Sequence, residues 1–284
     1  MSRIEKALEK ALNQRGQEPE QAPAPQQNAG DHTAVLHEQT RRPDYSAFNE
    51  VPPPEIRNPV LITATQPDAP ASEQYRKLKS ILVKMVRSQK AGRSLLVTSS
   101  IGGEGKTVTS INLAITLAQE FDHTVLLVEA DLRRPTLMNY LNMKAERGLT
   151  DCLLDGASIA DVLVKTGIGK LSVLPAGRPV KNPVELFSSD RMHEVMAEIK
   201  DRYPDRFVII DSTPILPFAE AHILATQVDS VLYVARQDYT PFEKLKEGIA
   251  NLKSHNLLGV VCNDMDEAMI GSGYYGYYGY GAQG

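Results

Sequence analysis

At 284 residues the chain is long enough for one large α/β domain with appendages. A net charge of −4 gives nucleic-acid binding no support, no apolar run reaches the roughly 18 residues a membrane span needs, and no signal-peptide core opens the chain, so a cytoplasmic location is expected. The two cysteines, Cys152 and Cys262, are isolated in sequence; they read as core packing in a reducing compartment, not as a metal motif or a disulfide framework.

Residues 1–15 are expected to form an amphipathic helix. Ser2 and Glu5 have capping-box spacing, and Ile4, Ala7, Leu8, Ala11 and Leu12 fall on one stripe. So short a helix is marginal in water unless the stripe docks, either on its own domain or on a partner. Residues 16–70 are rich in Gln, Pro, Asn and Glu and poor in aliphatics. Such a segment cannot bury enough apolar surface to offset its ordering entropy, and it reads as a disordered linker stiffened by prolines. A main domain is expected over 71–270. It opens with a helix over 72–87, whose buried face carries Tyr75, Leu78, Ile81, Leu82, Met85 and Val86. Glu73, Arg76 and Lys79 repeat at a spacing of three along another side, either as a solvated face or as a contact surface.

From residue 94 onward apolar strands alternate with helices. Strands are expected over 94–98, 124–129, 171–174, 207–211, 230–235 and 258–262, and helices over 107–120, 219–226 and 242–254 among others. Strands that are apolar without alternation, separated by helices, predict an α/β fold with a mostly parallel sheet covered on both faces. Ligands in such sheets sit at the carboxyl ends of the strands.

The stretch at the end of the first strand is Ser99-Ser100-Ile101-Gly102-Gly103-Glu104-Gly105-Lys106-Thr107. Strand, Gly-rich turn and helix together aim backbone N–H groups and a helix dipole at one point, which suits phosphates. Lys106 is placed to reach the β- and γ-phosphates and Thr107 to hold Mg²⁺. The P-loop pattern wants a glycine where Ser100 stands. Two more strands end in carboxylates: 125–128 leads to Glu129 and Asp131, and 207–210 leads to Asp211. Alternate residues of a strand share a face, so Glu129 and Asp131 are both candidates to look at the metal, as is Asp211. Beyond the last strand, residues 271–284 hold Tyr274, Tyr275, Tyr277, Tyr278 and Tyr280 among glycines, with no charge and no aliphatic residue that would build a core.

On these residues the chain resembles the bacterial protein-tyrosine kinases of P-loop type. The resemblance covers about 72–284 and rests on the loop 103–107, the strand end Glu129-Ala130-Asp131-Leu132-Arg133-Arg134-Pro135, the strand ending at Asp211, Pro175-Ala176-Gly177 with Asn182-Pro183-Val184-Glu185-Leu186, and the C-terminal tyrosines. It implies ATP and Mg²⁺ as cofactors. Gly102, Gly103, Glu104, Gly105, Lys106, Thr107, Val108 and Asn263 would form the ATP site, and Thr107, Glu129, Asp131 and Asp211 the metal site. Lys106, Asp131 and Asp211 would be catalytic, with Asp131 acting as base or as metal ligand. The five tail tyrosines would be the phosphoryl acceptors. Glu73-x-x-Arg76-x-x-Lys79 resembles the family's oligomerisation motif, implying a homo-oligomer with transfer between subunits. The opening Ser2-Arg3-Ile4-Glu5-Lys6-Ala7-Leu8 is similar to the autokinases of exopolysaccharide/PEP-CTERM loci. That likeness implies a membrane-embedded polysaccharide chain-length or export protein as activator, which would recruit the kinase to the inner face of the plasma membrane.

Glu129 stands where the family usually has Asp, Gly102 where it often has Pro, and Lys79 where it usually has Arg. Two other classes compete. ParA/MinD-like switch ATPases share the loop and the Asp211 strand, but their signature lysine falls at Ile101, and they have no need of terminal tyrosines. A nucleotide-binding scaffold without transfer chemistry is the third.

Overall fold

The computed structural model describes residues 51–120, 123–201 and 205–266. The expected N-terminal helix, most of the expected linker and all five tail tyrosines lie outside the described residues. In chain order the elements are α1 (Ile62–Thr65), α2 (Pro70–Arg87), β1 (Ser94–Ser99), α3 (Lys106–Ala118), β2 (Thr124–Glu129), α4 (Leu137–Tyr140), α5 (Leu149–Leu154), α6 (Ile159–Val162), β3 (Val164–Lys165), β4 (Leu171–Leu174), α7 (Pro183–Phe187), α8 (Asp190–Asp201), β5 (Arg206–Asp211), α9 (Glu220–Ala225), β6 (Ser230–Arg236), α10 (Phe242–Ala250) and β7 (Leu257–Asn263).

The strands form one seven-stranded sheet in the order β3-β4-β2-β5-β1-β6-β7. Every pairing is parallel except that of β3 with β4. The mostly parallel sheet expected from the sequence is present, and the cause is visible in burial. All residues of β1, β2 and β5 are buried, so each strand needs apolar side chains on both faces.

Successive strand residues then feed two cores. Leu96, Leu126, Val128, Val208 and Ile210 pack with α5, α7, α8 and α9 on one face. Leu95, Val97, Val125, Leu127 and Ile209 pack with α2 and α3 on the other. Helix α3 is buried nearly all round, with Ile111, Leu113, Ala114, Ile115 and Leu117 fully buried, because it lies between the sheet and α1–α2.

Four expectations need correction; the first is that Ile81, expected on the buried face of the 72–87 helix, is 56 % exposed. The packed domain begins before residue 71, inside the stretch read as linker. Leu61 is fully buried, the backbone N–H of Thr63 donates to Asn112 Oδ1 at 3.0 Å, and the Ser72 hydroxyl donates to the carbonyls of Ile62 and Gln66. One buried leucine and one asparagine on α3 are enough to dock a single helical turn that composition alone reads as loop. Cys152 is buried as expected, but Cys262 is exposed, because β7 is an edge strand. The helix expected over 242–254 ends at Ala250, and Leu252 turns into the core instead.

Candidate functional site

Strand order decides what meets what. β5 lies between β2 and β1, and the register sets Asp211 level with both Glu129 and Val97. The loop between β1 and α3, the acids at the end of β2 and the acid ending β5 therefore share one rim, at the carboxyl ends of adjacent strands.

Gly105 is the residue before α3 and holds φ at +92°. A Cβ there would be strained and would also come within 2.0 Å of Asn263 Nδ2. With that space open, α3 starts at Lys106 and its free N–H groups face the loop. Lys106 is 7 % exposed. The Thr107 hydroxyl donates to Asp211 Oδ2 at 2.7 Å, and the Ser110 hydroxyl donates to Oδ1 at 3.2 Å. Burial pushes the Asp211 carboxyl up to about 7, against the opposing pull of these hydroxyls and of Lys106. A buried acid so perturbed beside a threonine at a helix N-terminus is a donor set that a hard cation would relieve. Among the described residues no cluster of three acidic, histidine or cysteine side chains stands ready to hold a metal by itself.

The two acids at the end of β2 part company. Glu129 is buried, and both of its oxygens are taken by backbone: Oε1 accepts from Leu137 N–H at 2.7 Å and Oε2 from Ala176 N–H at 3.2 Å. Burial nonetheless holds its carboxyl above the usual range. Placed in this way, Glu129 ties α4 and the end of β4 to β2. Asp131 is half-buried, and its Oδ1 accepts from the Arg134 N–H at 3.1 Å. Burial again raises its carboxyl, the nearby Glu220 carboxylate adds to the rise, and Lys106 opposes it. Arg133 Nε donates to the fully buried Glu220 at 2.7 Å, and its guanidinium lies 4.6 Å from the centre of the Phe218 ring.

A cavity of about 890 Å³ opens from the loop, lined by Gly103, Gly105, Lys106, Thr107, Val108 and Asn263 from the expected nucleotide set. Gly102 and Glu104 do not line it. Glu104 is 0 % exposed; its Oε2 accepts from Ile101 N–H at 2.7 Å and its Oε1 from the Thr240 hydroxyl. Its carbonyl accepts from Asn263 Nδ2 at 3.1 Å. Glu104 therefore shapes the loop from behind.

Ser100, the departure from the P-loop pattern, is fully buried and accepts a hydrogen bond from the Tyr233 hydroxyl at 2.9 Å. The remaining wall of the cavity includes Arg236, Cys262 and Asp264. Arg236 pairs with Asp264 at 2.6 Å and reaches the Gly103 carbonyl at 3.4 Å. Neither Arg236 nor Tyr233 was legible as a site residue, since nothing local marks them. The one available signal was a basic residue closing an apolar strand.

On α2, Arg76 pairs with Glu73 at 2.6 Å and also donates to the Pro67 carbonyl. Lys79 pairs with Glu120 at 2.7 Å within the same chain. The three are not gathered at the loop. Among the described residues no helix is long and apolar enough to cross a membrane.

A family model described as an AAA domain matches residues 92–256. The tyrosine-protein kinase YwqD of Bacillus subtilis is 36 % identical over 222 residues, covering 77 % of this chain and 91 % of that protein. The putative tyrosine-protein kinase EpsB of Ralstonia solanacearum is 33 % identical over 226 residues, but this chain spans only 30 % of its length. The crystal structure of the chimerical protein CapA2B2 superposes with a TM-score of 0.68 at 31 % identity, covering 74 % of this chain and 91 % of that one.

Proposed function

The chain belongs to the bacterial tyrosine-protein kinases, and on that premise we propose that it is an autokinase whose own C-terminal tyrosines receive the γ-phosphoryl group of ATP. The observation that carries this reading is the Thr107–Asp211 pair at 2.7 Å beneath a left-handed Gly105, with the Asp211 carboxyl pushed up to about 7.

Gly103, Gly105 and the N-terminus of α3 would hold the phosphates through backbone N–H groups, with Gly102 and Glu104 shaping the loop behind them, and Lys106 would answer the charge on the β- and γ-phosphates. Val108 and Asn263, which line the same cavity, would flank the rest of the nucleotide. Thr107 and Asp211 would hold Mg²⁺, with Asp131 beside them; that ion supplies charge neutralisation across the β- and γ-phosphates. Asp131 is also the base. It is half-buried rather than sealed in, its carboxyl is raised, and a phenol with a reference pKa of about 10 needs an acceptor for its proton as the new bond forms. Glu129, expected on the metal, acts in this reading as the brace behind Asp131, since both its oxygens already hold backbone N–H groups.

The acceptors are Tyr274, Tyr275, Tyr277, Tyr278 and Tyr280, in a tail occupying 271–284. Tyr274 follows the last residue of β7, Asn263, by 274 − 263 = 11 positions. So short a tether favours delivery to a neighbouring subunit. Glu73 and Arg76, half-exposed on α2, provide the contact, while Lys79 is committed to Glu120. Successive phosphates on the tail repel one another and loosen the assembly. We assign residues 1–15 as a handle, beyond a linker, for a membrane-embedded polysaccharide export protein that activates the kinase and holds it at the inner face of the membrane.

A mixing experiment tests the core of this reading. A chain truncated after Ile270 is combined with a full-length Lys106→Met chain and ATP. Transfer between subunits puts phosphotyrosine on the Lys106→Met chain, whereas an unlabelled Lys106→Met chain in a demonstrated co-assembly refutes it. Undiminished self-labelling by Lys106→Met alone would remove the loop from the active site.

A further inference from the structure

The phosphate loop is strapped from outside by the turn that follows β6. Its residues are Arg236 to Thr240, with Asp238 in a left-handed conformation at φ +54°. Thr240 bonds Glu104, Arg236 reaches the Gly103 carbonyl, and the Tyr239 hydroxyl donates to the Gly102 carbonyl at 3.0 Å. The fit is close: a Cβ on Gly103 would come within 2.9 Å of the Tyr239 hydroxyl. Yet the Tyr239 side chain is 47 % exposed, while Tyr233 is buried and Tyr75 and Tyr140 are half-buried. Among the described residues Tyr239 is the one exposed tyrosine, and its hydroxyl rests on the loop of a tyrosine kinase.

We propose that Tyr239 is a second phosphoryl acceptor, modified by a neighbouring subunit, and that its phosphate weakens the strap on the phosphate loop. This inference rests on the tyrosine-kinase reading. In the transfer the Tyr239 Oη–H bond breaks and an Oη–P bond forms. The bond from the γ-phosphorus to the β,γ-bridging oxygen breaks with its electron pair leaving on ADP, and the proton passes to a carboxylate or to water.

The consequence follows from hydrogen-bond chemistry. An esterified phenol oxygen has no proton to donate, so the bond to the Gly102 carbonyl is lost, and a group of about −2 charge is set against that carbonyl. A cation lies close by: the Arg236 guanidinium is 5.3 Å from the Tyr239 ring centre and is held by Asp264 at 2.6 Å. Arginine binds phosphate in a bidentate manner at least as well as it binds carboxylate, so Arg236 turns outward from Asp264 and from the Gly103 carbonyl. Two of the three links between turn and loop are then gone. Nucleotide affinity falls about tenfold, the size expected for losing one or two hydrogen bonds that pre-set a binding loop.

The test uses the full chain. After incubation with Mg-ATP, tryptic peptides are mapped by mass spectrometry. The peptide 237–244 contains Tyr239 as its single tyrosine and is expected to carry phosphotyrosine. Affinity for Mg-ADP is then measured with and without the ATP incubation, in wild type and in Tyr239→Phe. The wild type should weaken about tenfold on incubation and the variant should not, although both label their tails. Phosphate on the tail peptides but not on 237–244 overturns the proposal while leaving the tail reading intact. Phosphate on 237–244 with equal affinity changes in both proteins overturns the strap mechanism. Phosphate missing from both peptides overturns both sets of acceptors together.

Discussion

Asp211→Asn should stabilise the chain when nucleotide and metal are removed, and should do so only at high pH. The wild-type carboxyl is buried and pushed up to about 7, whereas an unfolded Asp has its ordinary value near 3.8. The native state therefore holds a proton that the unfolded state has already released. Below about pH 4 both states are protonated and burial costs nothing in charge. As pH rises from about 4 to 7 the stability contributed by that proton is progressively lost, and above 7 the native state carries a buried carboxylate. The difference between 3.8 and about 7 corresponds to about 4 kcal/mol, the upper bound on the penalty. Structural relaxation brings a realistic gain for the neutral amide to about 2 kcal/mol.

Asparagine keeps the shape, and the Thr107 and Ser110 hydroxyls can rotate to donate to its oxygen or accept from its amide. Thermal unfolding with chelator at pH 4 and pH 8 measures the effect. The variant should melt roughly 4–8 °C above wild type at pH 8 and within about 2 °C of it at pH 4. Adding Mg-ADP at pH 8 should reverse the order, because only the carboxylate gains from the cation. A difference between variant and wild type that does not change with pH would refute the reasoning, as would a less stable variant at pH 8 with chelator.

Shortening Glu129 to Asp leaves one of the Leu137 and Ala176 N–H groups without its partner, so Glu129→Asp should cost about 1–3 kcal/mol in urea unfolding. Asp131→Asn should leave unfolding almost unchanged and cut kcat at least a hundredfold in tyrosine labelling; the opposite ranking would exchange the two roles. Gly248 sits where an added Cβ would fall 1.8 Å from the Tyr233 hydroxyl, so Gly248→Ala should destabilise by about 1–3 kcal/mol. The same substitution in a Tyr233→Phe background should cost less, and equal costs in the two backgrounds would show that the clash is absorbed elsewhere.

The parts legible in the sequence share a physical cause. A strand buried on both faces must be apolar throughout, so β1, β2, β5 and β6 stand out as uninterrupted runs, and their last residues mark the rim where Glu129 and Asp211 lie. The Gly-rich turn was legible because Gly105 has to adopt positive φ. What was hidden depends on distant partners. Helices α4 to α7 have four to six residues each, too few for a periodic pattern, and α5 is set by the Gly148 N–H donating to Asp151 at 2.7 Å. The buried turn at Leu61 depends on Asn112, about fifty positions later, and Glu129 is committed to a backbone N–H at Ala176. Carboxylates at strand ends look alike in sequence. Only the structure separates Asp211, which meets the threonine of the phosphate loop, from Glu129, which meets the backbone.

The same distinction explains why a loop that departs from the P-loop pattern can still be built for phosphate. Where the pattern has glycine, Ser100 provides a hydroxyl, and that hydroxyl is pinned by Tyr233 from β6. Glu104, in the middle of the loop, buries its whole side chain to bond Ile101 on one side and Thr240 on the other, while Asn263 at the end of β7 holds its carbonyl. These contacts fix the loop before nucleotide arrives, so its N–H groups need little reorganisation when charge develops on the transferring phosphoryl group. The cost is dependence on β6, β7 and the turn between β6 and α10, elements that contribute no expected catalytic residue. A change in that turn is therefore felt at the phosphates through backbone carbonyls, and an exposed tyrosine hydroxyl resting on one of those carbonyls is a point where charge can be added without touching Lys106, Thr107 or Asp211.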